Sequence, residues 1–237
     1  MLNNFKIVVT GGSGRFGSIL KKNVGKNYIF PDKKNLNILN LSSIIKYLKK
    51  IKPKYLLHLA GLSRPLDSHE KDIEKSISLN IIGTANVTIA CKKLNIKLIY
   101  FSTSYVYPGK KGNYKENDPL LPSNNYAWSK LGGESAVKMY KNSLILRVSM
   151  TEKPFLHKYA FADMKTNFIY HEDFIKIFKK IINEKGILNI GGPTKSVYDF
   201  AKKNNHNVKK KYLKKQKKVN IPINASMNLK KLKKLIR

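Results

Sequence analysis

Ile7-Val8-Val9-Thr10-Gly11-Gly12-Ser13-Gly14-Arg15-Phe16-Gly17 is the stretch that decides the fold. Its opening, together with Phe5 and Lys6, is a short β-branched run that stops at a glycine cluster, the mark of a buried strand. Residues 14–24 then read as a helix. From Gly12 the cluster is G-x-G-x-x-G, and from Gly11 it is G-x-x-G-x-x-G. Glycine lacks a Cβ, so the chain can turn tightly and approach a pyrophosphate, whose charge the N-terminus of the next helix meets. Plain strand–helix connections also use such turns. The strand before and the helix after are what favour dinucleotide binding, by NAD or NADP. Asp32 lies 21 residues beyond Gly11, where an acid often holds the ribose 2′-hydroxyl. Lys33 and Lys34 follow it and could meet a 2′-phosphate instead, so the two cofactors stay open, as does a solvated turn around Pro31.

Outward from this unit, strand and helix signals alternate about five times. Tyr28 to Phe30 is a strand stopped by Pro31. Leu41 to Lys50 has helical spacing, and Tyr55 to Ala60 is a third strand. A long helical region covers 69–93, Lys97 to Phe101 is strand four, and Ser143 to Val148 is strand five after a helix over 125–140. Such alternation predicts an α/β protein with a doubly wound parallel sheet of the Rossmann type. Residues 1–150 are expected to form the dinucleotide-binding domain. Residues 151–237 are expected to form a small, shortened substrate-binding portion: irregular over 151–170, helical over 171–184 and 196–203, with a strand at 187–190 between them. A lysine-heavy loop over 204–225 and a short helix over 227–236 end the chain.

Composition narrows the function further. Lys and Arg number 47 against 14 Asp and Glu, a net charge of +33. Such a field attracts nucleic acid, anionic lipid or phosphorylated substrates. Only Arg15, Arg64, Arg147 and Arg237 are arginines, however, and base recognition leans on the arginine fork. The lysine excess therefore reads as compositional bias and argues against a nucleic-acid partner. No apolar run approaches the roughly 18 residues of a membrane span. The start of the chain runs directly into a strand, with no signal peptide, so a cytoplasmic location is expected. Cys91 is the one cysteine, which excludes an internal disulfide. His58, His69, His157, His171 and His206 lack metal-ligand spacing; His58, inside a strand, reads as a satisfied core residue.

Tyr126 and Lys130 stand four residues apart, hence on one helix face. A phenol of pKa about 10 is a poor proton carrier at neutral pH, and a nearby cation lowers that value. The pair is common on exposed helices; its place after a glycine cradle and a hydroxyl cluster at Ser102-Thr103-Ser104 gives it weight. Ligands of open parallel sheets sit at such strand ends. Trp128, between the pair, could face core or substrate.

These residues resemble the extended short-chain dehydrogenase/reductases that modify sugar nucleotides. The matching pieces are Thr10-Gly11-x-x-Gly14-x-x-Gly17, His58-Leu59-Ala60-Gly61, Asn80-x-x-Gly83-Thr84-x-Asn86, Ser102-Thr103-Ser104-Tyr105-Val106-Tyr107 and Tyr126-x-x-x-Lys130, in that order across residues 5–150. Asn189-Ile190-Gly191-Gly192 and Ser226-Met227-Asn228-Leu229 are similar to the dTDP-4-dehydrorhamnose reductase-like subgroup. The resemblance implies that Tyr126 carries the proton, that Lys130 tunes it and holds the nicotinamide ribose, and that Thr103 polarises the substrate carbonyl. It implies a pyrophosphate loop of Gly11, Gly14, Arg15, Phe16 and Gly17, with Ala60, Gly61 and Ser63 lining the cofactor and Asn40 and Leu41 beside the adenine. Asn80 is implied to be architectural. Dehydratases of the family carry Asp-Glu after the hydroxyl, where this chain has Ser104 and Tyr105; hydroxyl-then-tyrosine implies a ketoreductase, with Tyr105 at the substrate. The subgroup's tryptophan after strand five is Met150 here. The implied partner is a nucleotide-sugar, and a homodimer is left open. The rivals are an epimerase of the same superfamily and a catalytically silent dinucleotide-binding regulatory subunit.

Overall fold

The structure, a computed structural model, describes residues 5–213 and 219–237. Its centre is a parallel sheet built from β1 (Ile7–Thr10), β2 (Tyr28–Ile29), β3 (Tyr55–His58), β4 (Lys97–Thr103), β5 (Ser143–Val148) and β10 (Gly186–Ile190). Across the sheet the order is β10-β5-β4-β3-β1-β2. Every residue of β1, β3, β4 and β5 is buried, as a parallel sheet covered on both faces requires. One face carries α1 (Arg15–Asn23), α7 (His171–Ile181) and α9 (Lys230–Ile236), packed through Leu20, Phe174, Phe178 and Leu232. The other carries α2 (Leu41–Ile51), α5 (Gly83–Lys93) and α6 (Asn125–Lys138), packed through Ile44, Leu48, Val87, Cys91 and Val137. The Rossmann-type expectation is met. Because β2 and β3 flank β1 on opposite sides, the strand order reverses there and opens a crevice at the carboxyl ends of β1 and β3.

The helical region expected over 69–93 is not continuous. It divides into α3 (Ser68–Lys71), α4 (Ile73–Ile77), a π-helical turn (Ser78–Ile82) and α5. Asp72 leaves helical geometry and its carboxylate caps α4 by accepting from the Lys75 N–H, a competition that a periodicity count does not register. The π-turn turns Asn80 inward, where it is buried.

Beyond residue 150 the chain does two things. It returns α7, β10 and α9 to the main sheet, so the expected division at residue 150 is not a division of the sheet itself. It also builds a smaller cluster around Phe155, Ala160, Met164, Val197, Ala201 and Val208. Short strands organise this part. β6 (Met150–Thr151) pairs with β9 (Ile169–Tyr170), β7 (Tyr159–Phe161) with β12 (Lys209–Lys211), and β8 (Lys165–Thr166) with β11 (Lys195–Ser196), which leads into α8 (Val197–Lys202). Residues 151–170, expected to be irregular, thus contain two- and three-residue strands, as does the expected loop 204–225, of which 214–218 lie outside the described residues. Runs that short carry no period to read. The last helix begins at Lys230 rather than 227, because Met227 bridges to Tyr114 and its N–H bonds to Asn167.

Candidate active site

Between β1 and α1 the loop closes on itself. The Gly14 N–H donates to the Gly11 carbonyl at 3.0 Å and the Ser18 N–H to the Gly14 carbonyl at 2.8 Å. Gly11 has φ +73°, and a Cβ there would stand 2.5 Å from the Ala60 nitrogen. A Cβ on Gly17 would stand 2.5 Å from the Gly11 oxygen. Both glycines are therefore demanded by space, and Gly11 by conformation as well. No side chain caps α1 and no acid occupies its first turn, so its positive end is left for an anion. Arg15 reaches across the crevice to Glu152 at 3.1 Å. The Phe16 ring packs on Phe101, Phe174 and His171 while lining the crevice.

An adjoining pocket shares Gly11 and Gly61 and extends over Ser13, Lys21, Lys22, Phe30, Asp32, Lys33, Asn37, Ile38 and Ala60. Asp32 is here as expected, with Oδ1 accepting from both the backbone and the side-chain nitrogen of Asn35. Asn40 and Leu41 are not. Asn40 caps α2 by accepting from the Ser43 N–H, and the wall expected of them is made by Leu36, Asn37 and Ile38. The helix start at Leu41 explains the shift: an N-cap asparagine is committed to its own backbone.

At the other end the crevice gathers Gly61, Ser63, Arg64, Ser102, Thr103, Tyr105, Tyr126, Lys130, Met150, Glu152 and His171. Thr103 ends β4; its Oγ1 accepts from the Tyr105 N–H at 3.2 Å, and its hydroxyl acts on the Tyr126 phenol. Asn124 caps α6 through the Ala127 N–H and so fixes the turn that presents Tyr126. The Tyr126 ring lies between His69, 5.1 Å away, and Tyr105, 6.3 Å away, both edge-on. Burial pushes the phenol above its ordinary pKa, while the Thr103 hydroxyl and the Arg64 guanidinium pull it down. Burial likewise pushes Tyr105 up to about 12. The charge acting on the phenol here is that of Arg64. Lys130 lies one turn along α6, its ammonium 4.2 Å from the centre of the Tyr100 ring, and burial brings its pKa down to about 7 against the opposing pull of Glu134.

Buried polar networks hold these elements in place. Asn80 accepts from the Leu62 N–H at 2.7 Å and donates to the Leu62 carbonyl and to Ser129 Oγ, both at 2.8 Å, tying the loop after β3 to α6. His58 is bonded through Nδ1 to Thr10 at 2.8 Å and through Nε2 to Thr84 at 3.1 Å; burial, with Lys130 adding to it, pushes its pKa down to about 3. It is the neutral core histidine expected. Arg147 and Glu134 form a buried pair at 2.8 Å, completed by Tyr107. Trp128 points to neither core nor crevice and is 50% exposed. Among the described residues no cluster of three or more His, Cys, Asp or Glu could hold a metal ion, and no helix is long and apolar enough to cross a membrane.

Sequence reasoning missed Arg64, Glu152 and His171 as crevice residues. Each sits outside any motif, and only the fold brings them to the strand ends. The two orphaned polar atoms that line the crevice, Ser102 Oγ and His171 Nδ1, are buried without a hydrogen-bond partner. With the glycine cradle they fit a dinucleotide, whose pyrophosphate needs the open backbone and whose ribose and ring need polar partners.

Fold and crevice together define a doubly wound α/β protein with a tyrosine-threonine-lysine constellation beside an anion-ready helix start. The chain belongs to the family described as the RmlD substrate binding domain, whose model matches residues 5–162. It is 28% identical over 202 residues to a dTDP-4-dehydrorhamnose reductase of Aggregatibacter actinomycetemcomitans, covering 81% of this chain and 63% of that one. It is 30% identical over 154 residues to methionine adenosyltransferase 2 subunit beta of Danio rerio, covering 60% of this chain and 47% of that one. The chain thus spans about half to under two thirds of these relatives' length. Among solved structures, dTDP-4-dehydrorhamnose reductase from Bacillus anthracis in complex with NADP matches with a TM-score of 0.87 at 24% identity, over 97% of this chain and 92% of that one.

Proposed function

We propose that the chain is an NAD(P)H-dependent reductase of a nucleotide-linked keto-sugar, of the dTDP-4-dehydrorhamnose reductase-like kind. The observation that carries this reading is the convergence of Tyr126, Thr103 and Lys130 with the glycine cradle on one crevice. A bound reduced nicotinamide supplies the hydride. Gly11, Gly14 and Gly17 admit the pyrophosphate, with Arg15 and Phe16 beside it. Ala60, Gly61 and Ser63 line the opposite wall, Asp32 lies toward the adenosine, and Lys130 meets the ribose hydroxyls. Thr103 Oγ1, its acceptor side held by the Tyr105 N–H, offers its proton in a hydrogen bond to the substrate carbonyl oxygen. Tyr126 Oη then transfers its proton to that oxygen as negative charge develops there. Tyr105 walls the substrate. Residues 1–150 supply most of the dinucleotide site, and 151–237 supply a reduced substrate-binding region together with the part of the crevice wall that holds Glu152 and His171.

The proposal places the enzyme in the cytoplasm, as a homodimer. Ile73, Ile77, Ile82, Ile89, Trp128 and Met139 are exposed on α4, the π-turn, α5 and the α6 region, and a second copy would cover them. The second reading, a silent regulatory subunit, is favoured by the resemblance to the methionine adenosyltransferase subunit beta. Incubating the protein with NADH or NADPH and a panel of nucleotide-linked keto-sugars that includes dTDP-4-dehydrorhamnose separates the readings. A reductase consumes cofactor in step with sugar. An epimerase converts sugar without net oxidation, and a silent subunit binds dinucleotide and does neither.

A further inference from the structure

α7 starts at the rim of the crevice, and no side chain caps it. Its first residue, His171, is 5% exposed, lines the crevice and leaves Nδ1 buried without a partner. The imidazole packs at 5.3 Å and a tilt of 56° against Phe16, which follows Arg15 at the start of α1. The crevice wall there combines apolar Phe16, Phe101, Val148 and Met150 with polar Ser102, Ser149 and Glu152. The charged groups acting on the ring are Glu152, Glu172, Arg15 and Arg64, of both signs, and burial keeps the imidazole neutral. A buried ring nitrogen without a partner, an acceptor in one tautomer and a donor in the other, is unfavourable unless a ligand completes it.

The chemistry that fits is specific. A flat apolar ring would lie against the Phe, Val and Met side chains, and it would carry one group that both donates and accepts. A carboxamide can complete the nitrogen in either tautomer, whereas a phosphate, which only accepts, serves one of the two. We propose that His171 and the first turn of α7 seat the nicotinamide carboxamide: Nδ1 accepts from the amide NH2, and the positive end of the helix favours the amide oxygen. His171 thereby fixes which face of the ring is turned toward Tyr126. It is a positioning residue. This rests on the dinucleotide reading above.

The test is binding, measured by calorimetry with NADPH and NADH, with the ADP-ribose counterparts that lack nicotinamide, and with the 3-acetylpyridine analogues that lack the amide NH2. Wild-type protein is expected to prefer the amide-bearing dinucleotide over both other probes. In His171→Phe, which keeps the ring packing on Phe16, affinity for the dinucleotide falls about tenfold, the scale of one lost buried hydrogen bond. Affinity for the ADP-ribose probe holds, and discrimination against the acetylpyridine analogue disappears. His171→Gln, which restores an amide acceptor, regains part of the loss and guards against a folding artefact. Equal weakening of dinucleotide and ADP-ribose probes would assign His171 to the pyrophosphate or to the fold and overturn the proposal, as would unchanged discrimination in His171→Phe. Wild-type protein that binds no dinucleotide at all would instead sink the reading on which the proposal rests.

Discussion

The two ends of the crevice are built by opposite means. The glycine end comes from one continuous stretch, and what matters there is the absence of side chains: Gly11 and Gly17 each leave a space in which a Cβ would stand 2.5 Å from backbone atoms. The reaction end is assembled from side chains delivered by separate segments. Arg64 comes from the loop after β3, Thr103 from the end of β4, Tyr126 and Lys130 from α6, Glu152 from beyond β6, and His171 from α7. The first end can be damaged by adding atoms, the second by removing them.

The largest effect follows from removing one oxygen. Tyr126→Phe keeps the ring between His69 and Tyr105 but leaves no proton to give. Turnover of the keto-sugar should fall about a thousandfold, within the range for general acid catalysis, with dinucleotide affinity unchanged. Single-turnover cofactor oxidation beside a calorimetric titration reads both, and surviving turnover would falsify the proton assignment. Gly17→Val attacks the other end. Its Cβ meets the Gly11 oxygen, so the loop must open; overpacking of this kind destabilises by about 1–3 kcal/mol. Dinucleotide affinity should fall together with the melting temperature. If Gly17→Val bound dinucleotide normally, the contrast between the two ends would be lost, because the cradle would then tolerate the atoms it is said to exclude.

The same contrast explains what could be read from the sequence. β1, its glycine turn and α1 were legible because strand, turn and helix start are adjacent in the chain and each signal reinforces the next. β3, β4 and β5 were legible as runs with apolar centres, and Thr103, Tyr126 and Lys130 by their spacing and order. Asn40 and Leu41 do not line the adjoining pocket, whose wall is made by Leu36, Asn37 and Ile38, and nothing local in the sequence distinguishes an N-cap asparagine from a wall residue. The break of the long helix at Asp72 depended on one side chain competing with the backbone. The paired two- and three-residue strands of 150–170 and 195–211 are held by long-range partners, which no window of sequence contains. Arg64, with His157 at 3.4 Å, belongs to the same class: its role exists only once β3 and β4 lie side by side.

Arg64 offers the smallest and sharpest test of the reaction end. Two groups on α6 lose protons as pH rises: Lys130, brought down to about 7, and Tyr126, raised above the ordinary tyrosine value. Arg64 acts on the phenol and favours its ionised form; Glu134 is the charge that acts on Lys130. Arg64→Met removes the stabilised phenolate, so the Tyr126 pKa rises and the protonated, donating form survives to higher pH. The upper alkaline limb of kcat/KM should therefore move up in pH while the limb near 7 stays in place. At neutral pH the rate falls only severalfold, because a weaker acid donates its proton less readily. Arg64→Lys should bring the limb part of the way back. Arg64 is solvent-exposed, so added salt should move the wild-type limb in the same direction as Arg64→Met and leave that variant unmoved. A limb that responded to neither would mean that Arg64 does not set the phenol's pKa, and that the reaction end is more local in sequence than the contrast with the glycine end holds.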